Sequence, residues 1–188
     1  MRVISGKFKN KKLNFPKNLK TRPLKDSVKE NIFNILEHSN KINIKIKNSN
    51  ILDLYSGCGS FGIETLSREA SSVLFVENDY QALDSLKKNI KYLSLENFSY
   101  IHEEDVEIFV KKIKNDKKFN IIFLDPPFSD NKFFLNLISI KNKNILKKDY
   151  IIVIHRENIF KDKIDLQNLN IIEERIYGRS KIFFLKFN

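Results

Sequence analysis

The stretch Ile51–Glu64, ILDLYSGCGSFGIE, constrains this chain more than any other. Its apolar run Ile51-Leu52-Asp53-Leu54-Tyr55 predicts a buried strand. The chain then turns through Gly57, Gly59 and Gly62, and Ser60 is placed to cap a helix carrying Ile63 and Leu66. A strand, a glycine turn and a helix N-terminus together form a pocket for a nucleotide-like ligand. Glycines let backbone N–H groups approach it, and the helix end carries a partial positive charge. GCGSFG reads as G-x-G-x-x-G, the dinucleotide fingerprint, and Glu77 follows at about 20 residues, where a ribose would be held. Asp53 points elsewhere, because a carboxylate just before the turn repels a pyrophosphate and attracts a cationic amine. S-adenosylmethionine carries such an amine and a ribose.

The rest of the chain alternates strands and helices. Val73–Glu77 reads as a second strand, followed by a helix capped by Asp79 with Leu83, Leu86, Ile90 and Leu93 on one stripe. Phe98–Ile101 is a third strand, and Asp105 opens a helix with Val106, Phe109, Val110 and Ile113 inward. Asn120–Leu124 is a fourth strand, followed by a helix through Phe134 and Ile138 and a strand at Tyr150–Ile154. Two last strands, near Ile171–Ile176 and Ile182–Phe187, flank Gly178 and pair antiparallel. Upstream, Ser27 and Glu30 have capping-box spacing before a helix with Val28, Ile32, Ile35 and Leu36 inward. Residues 39–49 read as a surface loop separating that helix from the sheet. This alternation predicts a doubly wound parallel sheet whose ligands gather at the carboxyl ends of its strands. Asp53, Glu77, Asp105 and Asp125 all fall at or near such ends.

Composition narrows the partners. The 188 residues carry a net charge of +11, which favours an anionic partner. Residues 1–25 hold nine of the basic groups and no acid, with Phe8 and Phe15 interleaved. Val3, Ile4, Leu13 and Phe15 give that segment something to bury, so a small hairpin turning at Gly6 is expected, suited to phosphate contact and stacking. Thr21-Arg22-Pro23 reads as an extended link. No apolar run is long enough to span a bilayer, and no signal peptide is read. The single cysteine, Cys58, suits a reducing cytoplasm and reads as a small filler of the turn. His38, His102 and His155 are scattered without metal-ligand spacing and read as surface or satisfied residues.

Asp125-Pro126-Pro127-Phe128 is the sharpest chemical signal. Two prolines cannot continue a central strand, and they stiffen the carboxylate, carbonyl and aromatic ring they carry. That set suits a planar base with an exocyclic amine. Such an amine is a poor nucleophile, because its lone pair is delocalised into the ring. The Asp125 carboxylate and the Pro126 carbonyl can accept its two hydrogens and turn the lone pair toward an electrophile. Phe128 can stack on the base, which is worth about 1–3 kcal/mol.

The order D-x-Y-S-G-x-G-x-x-G-x-E, an acidic strand end, Asp105 and D-P-P-F resembles the S-adenosylmethionine-dependent amino-methyltransferases. Over nearly the whole chain the resemblance is to the RsmD family, which methylates N2 of a guanine in 16S ribosomal RNA. It extends to Val3-Ile4-Ser5-Gly6 with its basic turn and to Arg22-Pro23 with the helix that follows. It also takes in Tyr177-Gly178 with Ile182-Phe183-Phe184. The chain departs from the family at Ser5, Asn10 and Leu24, where glycine, glycine and threonine are usual.

The resemblance implies a Rossmann-like α/β class I methyltransferase fold. Its sheet is seven-stranded and mostly parallel with a terminal antiparallel strand. Residues 1–24 form a basic N-terminal β-hairpin extension, and 25–188 form the methyltransferase domain. Asp53, Tyr55, Ser56, Gly57, Gly59, Gly62, Glu77, Asn78, Asp105 and Val106 would bind S-adenosyl-L-methionine, with Glu77 on the ribose and Asp105 and Val106 at the adenine. Asp125, Pro126, Pro127 and Phe128 would hold the guanine and form the catalytic set, with no metal. Arg2, Lys7, Lys9, Lys11, Lys12, Arg22 and Arg179 are the candidate RNA contacts. The expected partner is ribosomal RNA, within a small-subunit particle, for a cytoplasmic monomer. Other readings stay open: an adenine-N6 methyltransferase of DNA or RNA, a nicotinamide-dependent oxidoreductase, or a catalytically silent RNA-binding module.

Overall fold

The computed structural model describes residues 1–16, 24–130, 133–158 and 169–188. Its elements run α1 (Asp26–His38), β1 (Asn50–Leu54), α2 (Ser60–Ser67), β2 (Ser72–Glu77), α3 (Tyr80–Tyr92) and β3 (Ser99–Glu103). They continue with α4 (Val106–Lys112), β4 (Phe119–Leu124), α5 (Phe133–Asn142), β5 (Leu146–Glu157), β6 (Leu169–Tyr177) and β7 (Ser180–Phe187). The seven strands form one sheet in the order β3-β2-β1-β4-β5-β7-β6. β1 pairs parallel with β2 and β4, matching Leu54 to Val76 on one side and to Leu124 on the other. Chain order therefore reverses between β1 and β4, which opens a crevice at their carboxyl ends. The last strand of the chain, β7, is the antiparallel one and lies between β5 and β6.

The central strands read as nearly continuous apolar runs because helices cover both faces. Side chains alternate along β1, so Ile51 joins one core and Leu52 and Leu54 the other. The first core takes Ile32 and Phe33 from α1, Phe61 from α2, and Leu86 and Ile90 from α3. There the Phe61 ring stacks on Phe33 at 5.1 Å and on Phe123 at 4.0 Å. The second core takes Val106, Phe109 and Val110 from α4, and Leu137 and Ile140 from α5.

Three local expectations need correction. The Ser27/Glu30 capping box does not form: Lys25 is the N-cap of α1, and no side chain caps it. Ser60 is not the cap of α2 either. Gly59, at φ 83°, takes that place, and Ser60 Oγ instead meets Lys29 Nζ at 3.1 Å. Residues 39–49 are not simply a surface loop, because Ile42, Ile44 and Ile46 are buried in the first core. They join α1 to the sheet rather than separate it. The expected helix through Phe134 and Ile138 forms as α5, whose buried residues are Phe133, Asn136, Leu137 and Ile140.

The N-terminal segment folds back on itself through an antiparallel Arg2↔Lys12 bridge. Val3 N–H donates to Lys11 O at 2.9 Å, and Asn10 N–H donates to Val3 O at 2.9 Å. Asn10 stands at φ 67°, where asparagine is among the few residues that substitute readily for glycine. Gly6 admits no side chain, since a Cβ there would lie 1.9 Å from Ser67 O of α2. The segment is tied to α2 by buried polar groups. Glu64 accepts from Ile4 N–H at 2.7 Å and Ser5 N–H at 2.9 Å, and pairs with Lys29 Nζ at 3.4 Å. Lys29 and Glu64 are both 0% exposed, and Lys29 Nζ also donates to Arg2 O at 2.7 Å. Burial lowers the Lys29 ammonium from its ordinary pKa, against the opposing pull of Glu64 and Asp26.

Candidate active site at the carboxyl edge of the sheet

Where β1 ends, the backbone turns left-handed at Tyr55 (φ 57°), Gly57 (56°) and Gly59 (83°). The glycines of this turn serve different needs. A Cβ on Gly57 would meet nothing within 4 Å, so this residue borders open space. A Cβ on Gly59 would lie 2.4 Å from Leu86 Cδ1, and one on Gly62 would lie 2.3 Å from Phe75 Cε1. Those two glycines let α2 pack closely on β2 and α3. Cys58, between Gly57 and Gly59, is buried, and burial pushes its thiol up to about 11, which disfavours the nucleophilic thiolate and agrees with its reading as filler.

Main-chain donors hold the carboxylates on this side. Gly57 N–H donates to Glu77 Oε2 at 2.7 Å, while the N–H groups of Asn78 and Asp79 donate to Oε1 at 2.9 Å. Gly62 N–H donates to Asp53 Oδ2 at 2.9 Å. Asp53 is 1% exposed, and this burial raises its carboxyl well above the ordinary range. The Gly62 bond opposes that shift, and the nearby Asp125 and Glu77 carboxylates add to it. Ser56 Oγ is buried and finds no hydrogen-bond partner among the described residues. An orphaned hydroxyl beside an open glycine fits a turn that receives a polar ligand. Asp105 caps α4 by accepting from Glu107 N–H at 2.7 Å, and Asn78 Nδ2 donates to its Oδ2 at 3.4 Å. Val106, the first residue of α4, is buried. The Tyr55 hydroxyl donates to Asp130 Oδ2 at 3.0 Å and accepts from Asn136 Nδ2 at 2.9 Å. Burial, and next the Asp130 carboxylate, raise its phenol pKa.

The Asp125–Phe128 loop leaves β4 beside this turn, with Asp125 N–H donating to Leu54 O at 3.4 Å. It is held by two side chains of β5. Arg156, 1% exposed, donates to Pro127 O at 3.0 Å and to Phe128 O and Asp130 O at 3.2 Å. His155 Nδ1 lies 2.8 Å from Asp125 Oδ1, and its Nε2 lies 3.0 Å from Ser180 Oγ. The Phe128 ring meets the His155 ring edge-on at 5.8 Å. Among the described residues, no hydrogen bond reaches Pro126 O. The Asp125-Pro126 pair therefore keeps acceptors open while the next carbonyls of the loop are engaged.

The fold brings Asp53, Tyr55, Ser56, Gly57, Glu77, Asn78, Asp105 and Asp125–Phe128 to one edge of the sheet. It does not bring all the basic residues there. Arg2, Lys7, Lys9, Lys11 and Lys12 are exposed on the segment docked along α2. Arg179 sits in the turn between β6 and β7, where its Nε donates to Glu157 Oε1 at 2.8 Å. Arg22 lies outside the described residues. Sequence reasoning missed His155 and Arg156. Their signal was the run His155-Arg156-Glu157 closing an apolar strand, three polar residues at the end where ligands gather. It missed Asn89 as well, which donates to Cys58 O in the turn and to Asn14 O in the N-terminal segment, both at 3.0 Å.

Sheet order and site together define the fold of the class I methyltransferases. The chain belongs to the family described as "Conserved hypothetical protein 95", whose model matches residues 1–186, and this bears out the RsmD resemblance. Relatives named "Ribosomal RNA small subunit methyltransferase D" include one from Haemophilus influenzae, 34% identical over 182 residues, covering 95% of this chain and 89% of that protein. Another, from Buchnera aphidicola subsp. Baizongia pistaciae, is 33% identical over 174 residues, covering 93% of this chain and 85% of that one. A solved methylase structure from Haemophilus influenzae is 30% identical at a TM-score of 0.78, covering 98% of this chain and 97% of that one. A methyltransferase from Escherichia coli, 24% identical at a TM-score of 0.81, shares the fold over 100% of this chain and 97% of its own.

Proposed function

We propose that this chain transfers a methyl group from S-adenosylmethionine to the N2 amine of a guanine in 16S ribosomal RNA. The coarser reading, methyl transfer to ribosomal RNA, rests on family membership and on what the relatives are named. The finer one rests on the whole-chain resemblance to the RsmD family; the site supports an exocyclic amine as target, because Asp125 and Pro126 present open acceptors beside an aromatic ring, at the edge that also carries the glycine turn. S-adenosylmethionine supplies an electrophilic methyl on a sulfonium when bound at that turn. Gly57 leaves room for it, Ser56 Oγ and the strand-end carboxylates meet its polar groups, and Asp105 and Val106 flank the adenine side. Asp125 and Pro126 O accept the two hydrogens of the target amine, which frees its lone pair; the N–C bond would form as the C–S bond breaks, the thioether S-adenosylhomocysteine would leave, and the surplus amine proton would pass to water. Phe128 stacks on the base and fixes the line of approach, and alignment of this kind accounts for a large part of such a rate. The base must leave its stack to reach Phe128, so an unpaired or flexible site in the RNA is preferred.

Residues 1–24 grip the RNA in this reading, and 25–188 carry out the transfer, acting as a monomer in the cytoplasm on a small-subunit particle. Arg2, Lys7, Lys9, Lys11 and Lys12 form the phosphate-contacting set, with Arg22 and Arg179 as further contacts. Lys7 lies 5.6 Å from the Phe8 ring and Lys11 lies 5.9 Å from the Tyr92 ring, so charge and aromatic faces stand together.

The test is to map methylated nucleosides in ribosomal RNA from cells with and without the gene. Loss of one N2-methylguanosine is expected; loss of an N6-methyladenosine instead refutes the guanine assignment. For the grip, replacing Lys7, Lys9, Lys11 and Lys12 with Ala flattens the salt dependence of RNA binding by about one unit of slope for each lysine–phosphate pair removed. An unchanged slope removes these lysines from the interface.

A further inference from the structure

We infer that His155 is a positioning residue for the methyl transfer, holding the Asp125 carboxylate so that its second oxygen faces the target amine. The inference rests on the reading of Asp125 as the acceptor for that amine. Three observations carry it. His155 Nδ1 stands 2.8 Å from Asp125 Oδ1, its Nε2 stands 3.0 Å from Ser180 Oγ, and its ring lies edge-on to Phe128 at 5.8 Å. One buried side chain thus touches both residues assigned to the base, and a third group fixes its far end.

The chemistry orders the protons along this chain. A carboxylate oxygen accepts, so the 2.8 Å contact is an Nδ1–H donation to Oδ1. At the far end Nε2 meets the Ser180 hydroxyl, which fixes the ring. Oδ1 is thereby occupied and Oδ2 is left for the amine. Asp125 would otherwise turn about its own side-chain bonds, being only partly buried at the mouth of the crevice. The antiparallel strand makes the arrangement possible. β7 runs against β5, so it brings its first residue, Ser180, to the end of β5 that carries His155. A parallel strand in that position would have brought its last residues instead.

His155→Asn and His155→Gln separate positioning from packing. Both keep a polar amide in the site. Asn places its N–H where Nδ1 stands and can still donate to Asp125. Gln reaches toward the Nε2 position and Ser180, and leaves Oδ1 without a donor. Turnover is measured as labelled methyl transferred from S-adenosylmethionine to ribosomal RNA from cells lacking the gene, alongside melting temperature and cofactor affinity. The expected result is that Asn stays within about tenfold of the parent kcat and Gln falls about a hundredfold. KM for RNA, cofactor Kd and melting temperature should match between the two. The inference is overturned if Gln is as active as Asn, if both keep the parent kcat, or if the losses appear in KM or Kd. Identifying the labelled nucleoside in the parent reaction tests the guanine assignment separately, because the Asn-to-Gln ratio is readable whichever base carries the label.

Discussion

The two sides of the crevice are built by different means. On the β1–β2 side, Glu77 is held by three backbone N–H groups and Asp53 by one. On the β4–β5 side, the Asp125–Phe128 loop is held by a guanidinium and an imidazole. Main-chain support comes from residues close in sequence, or from a turn whose shape the glycines dictate. Side-chain support comes from about 30 residues away and depends on one long group reaching its target. The first kind tolerates substitution of its neighbours, while the second can be removed by changing one residue.

The largest expected effect lies on the side-chain side. Arg156→Met keeps an apolar stem of similar length and removes the donors to Pro127 O, Phe128 O and Asp130 O. A hydrogen bond from a charged donor contributes about 1.5–3 kcal/mol, so losing these donors loosens the loop. Displacement of the base-holding loop should lower kcat by about a hundredfold while cofactor Kd changes little. Single-turnover transfer and calorimetric cofactor titration on one protein sample measure both. A Kd that rises as steeply as kcat falls would mean the two sides are one mechanical unit, and the contrast would be lost.

Next come two glycines of the turn, which should behave unalike. Gly62→Ala puts a methyl 2.3 Å from Phe75 Cε1 and 2.8 Å from Val73 Cγ1, which α2 can relieve only by shifting. Overpacking of this kind costs about 1–3 kcal/mol, so the melting temperature should drop by several degrees. Gly57→Ala meets no neighbour and bears only the strain of φ 56°, about 1–2 kcal/mol. Its main effect should be on cofactor affinity, because the methyl projects into the space left for the ligand. Equal losses of cofactor affinity in both variants would refute this division of labour.

The same contrast explains what the sequence revealed. The turn, Glu77 at its strand end and Asp79 and Asp105 as caps were legible because each depends on neighbours within a few positions. The mostly parallel, doubly wound sheet was legible because alternation of strands and helices leaves few topologies. Ser60 was misread as a cap because glycine can fill that place without a side-chain bond. Ile42, Ile44 and Ile46 were misread because their alternating lysines and asparagines resemble a solvated loop, and the burial of one edge shows only against α1 and the sheet. Lys29–Glu64 and His155–Asp125 were out of reach. A buried ion pair or a histidine contact has no local pattern, and its partners lie 35 and 30 residues apart.

The smallest predicted effect concerns Asp53, and its sign separates folding from binding. The raised pKa means that the native state holds a proton the unfolded chain gives up. Below about pH 4, the ordinary carboxylate range, both states are protonated and the site costs nothing. As pH rises past that range the unfolded chain ionises first, so stability is lost progressively until the folded carboxyl ionises too. Asp53→Asn removes this loss and keeps an oxygen to accept from Gly62 N–H. The variant should therefore melt a few degrees above the parent at pH 7, with the difference shrinking toward zero near pH 4. Its affinity for S-adenosylmethionine should fall at the same time, because a cationic amine in the site favours ionisation of the carboxyl and an amide cannot ionise. Melting curves from pH 4 to pH 8, with and without cofactor, measure both effects. A variant less stable than the parent at pH 7 would mean that Asp53 is ionised in the folded protein and held there by more than the Gly62 bond.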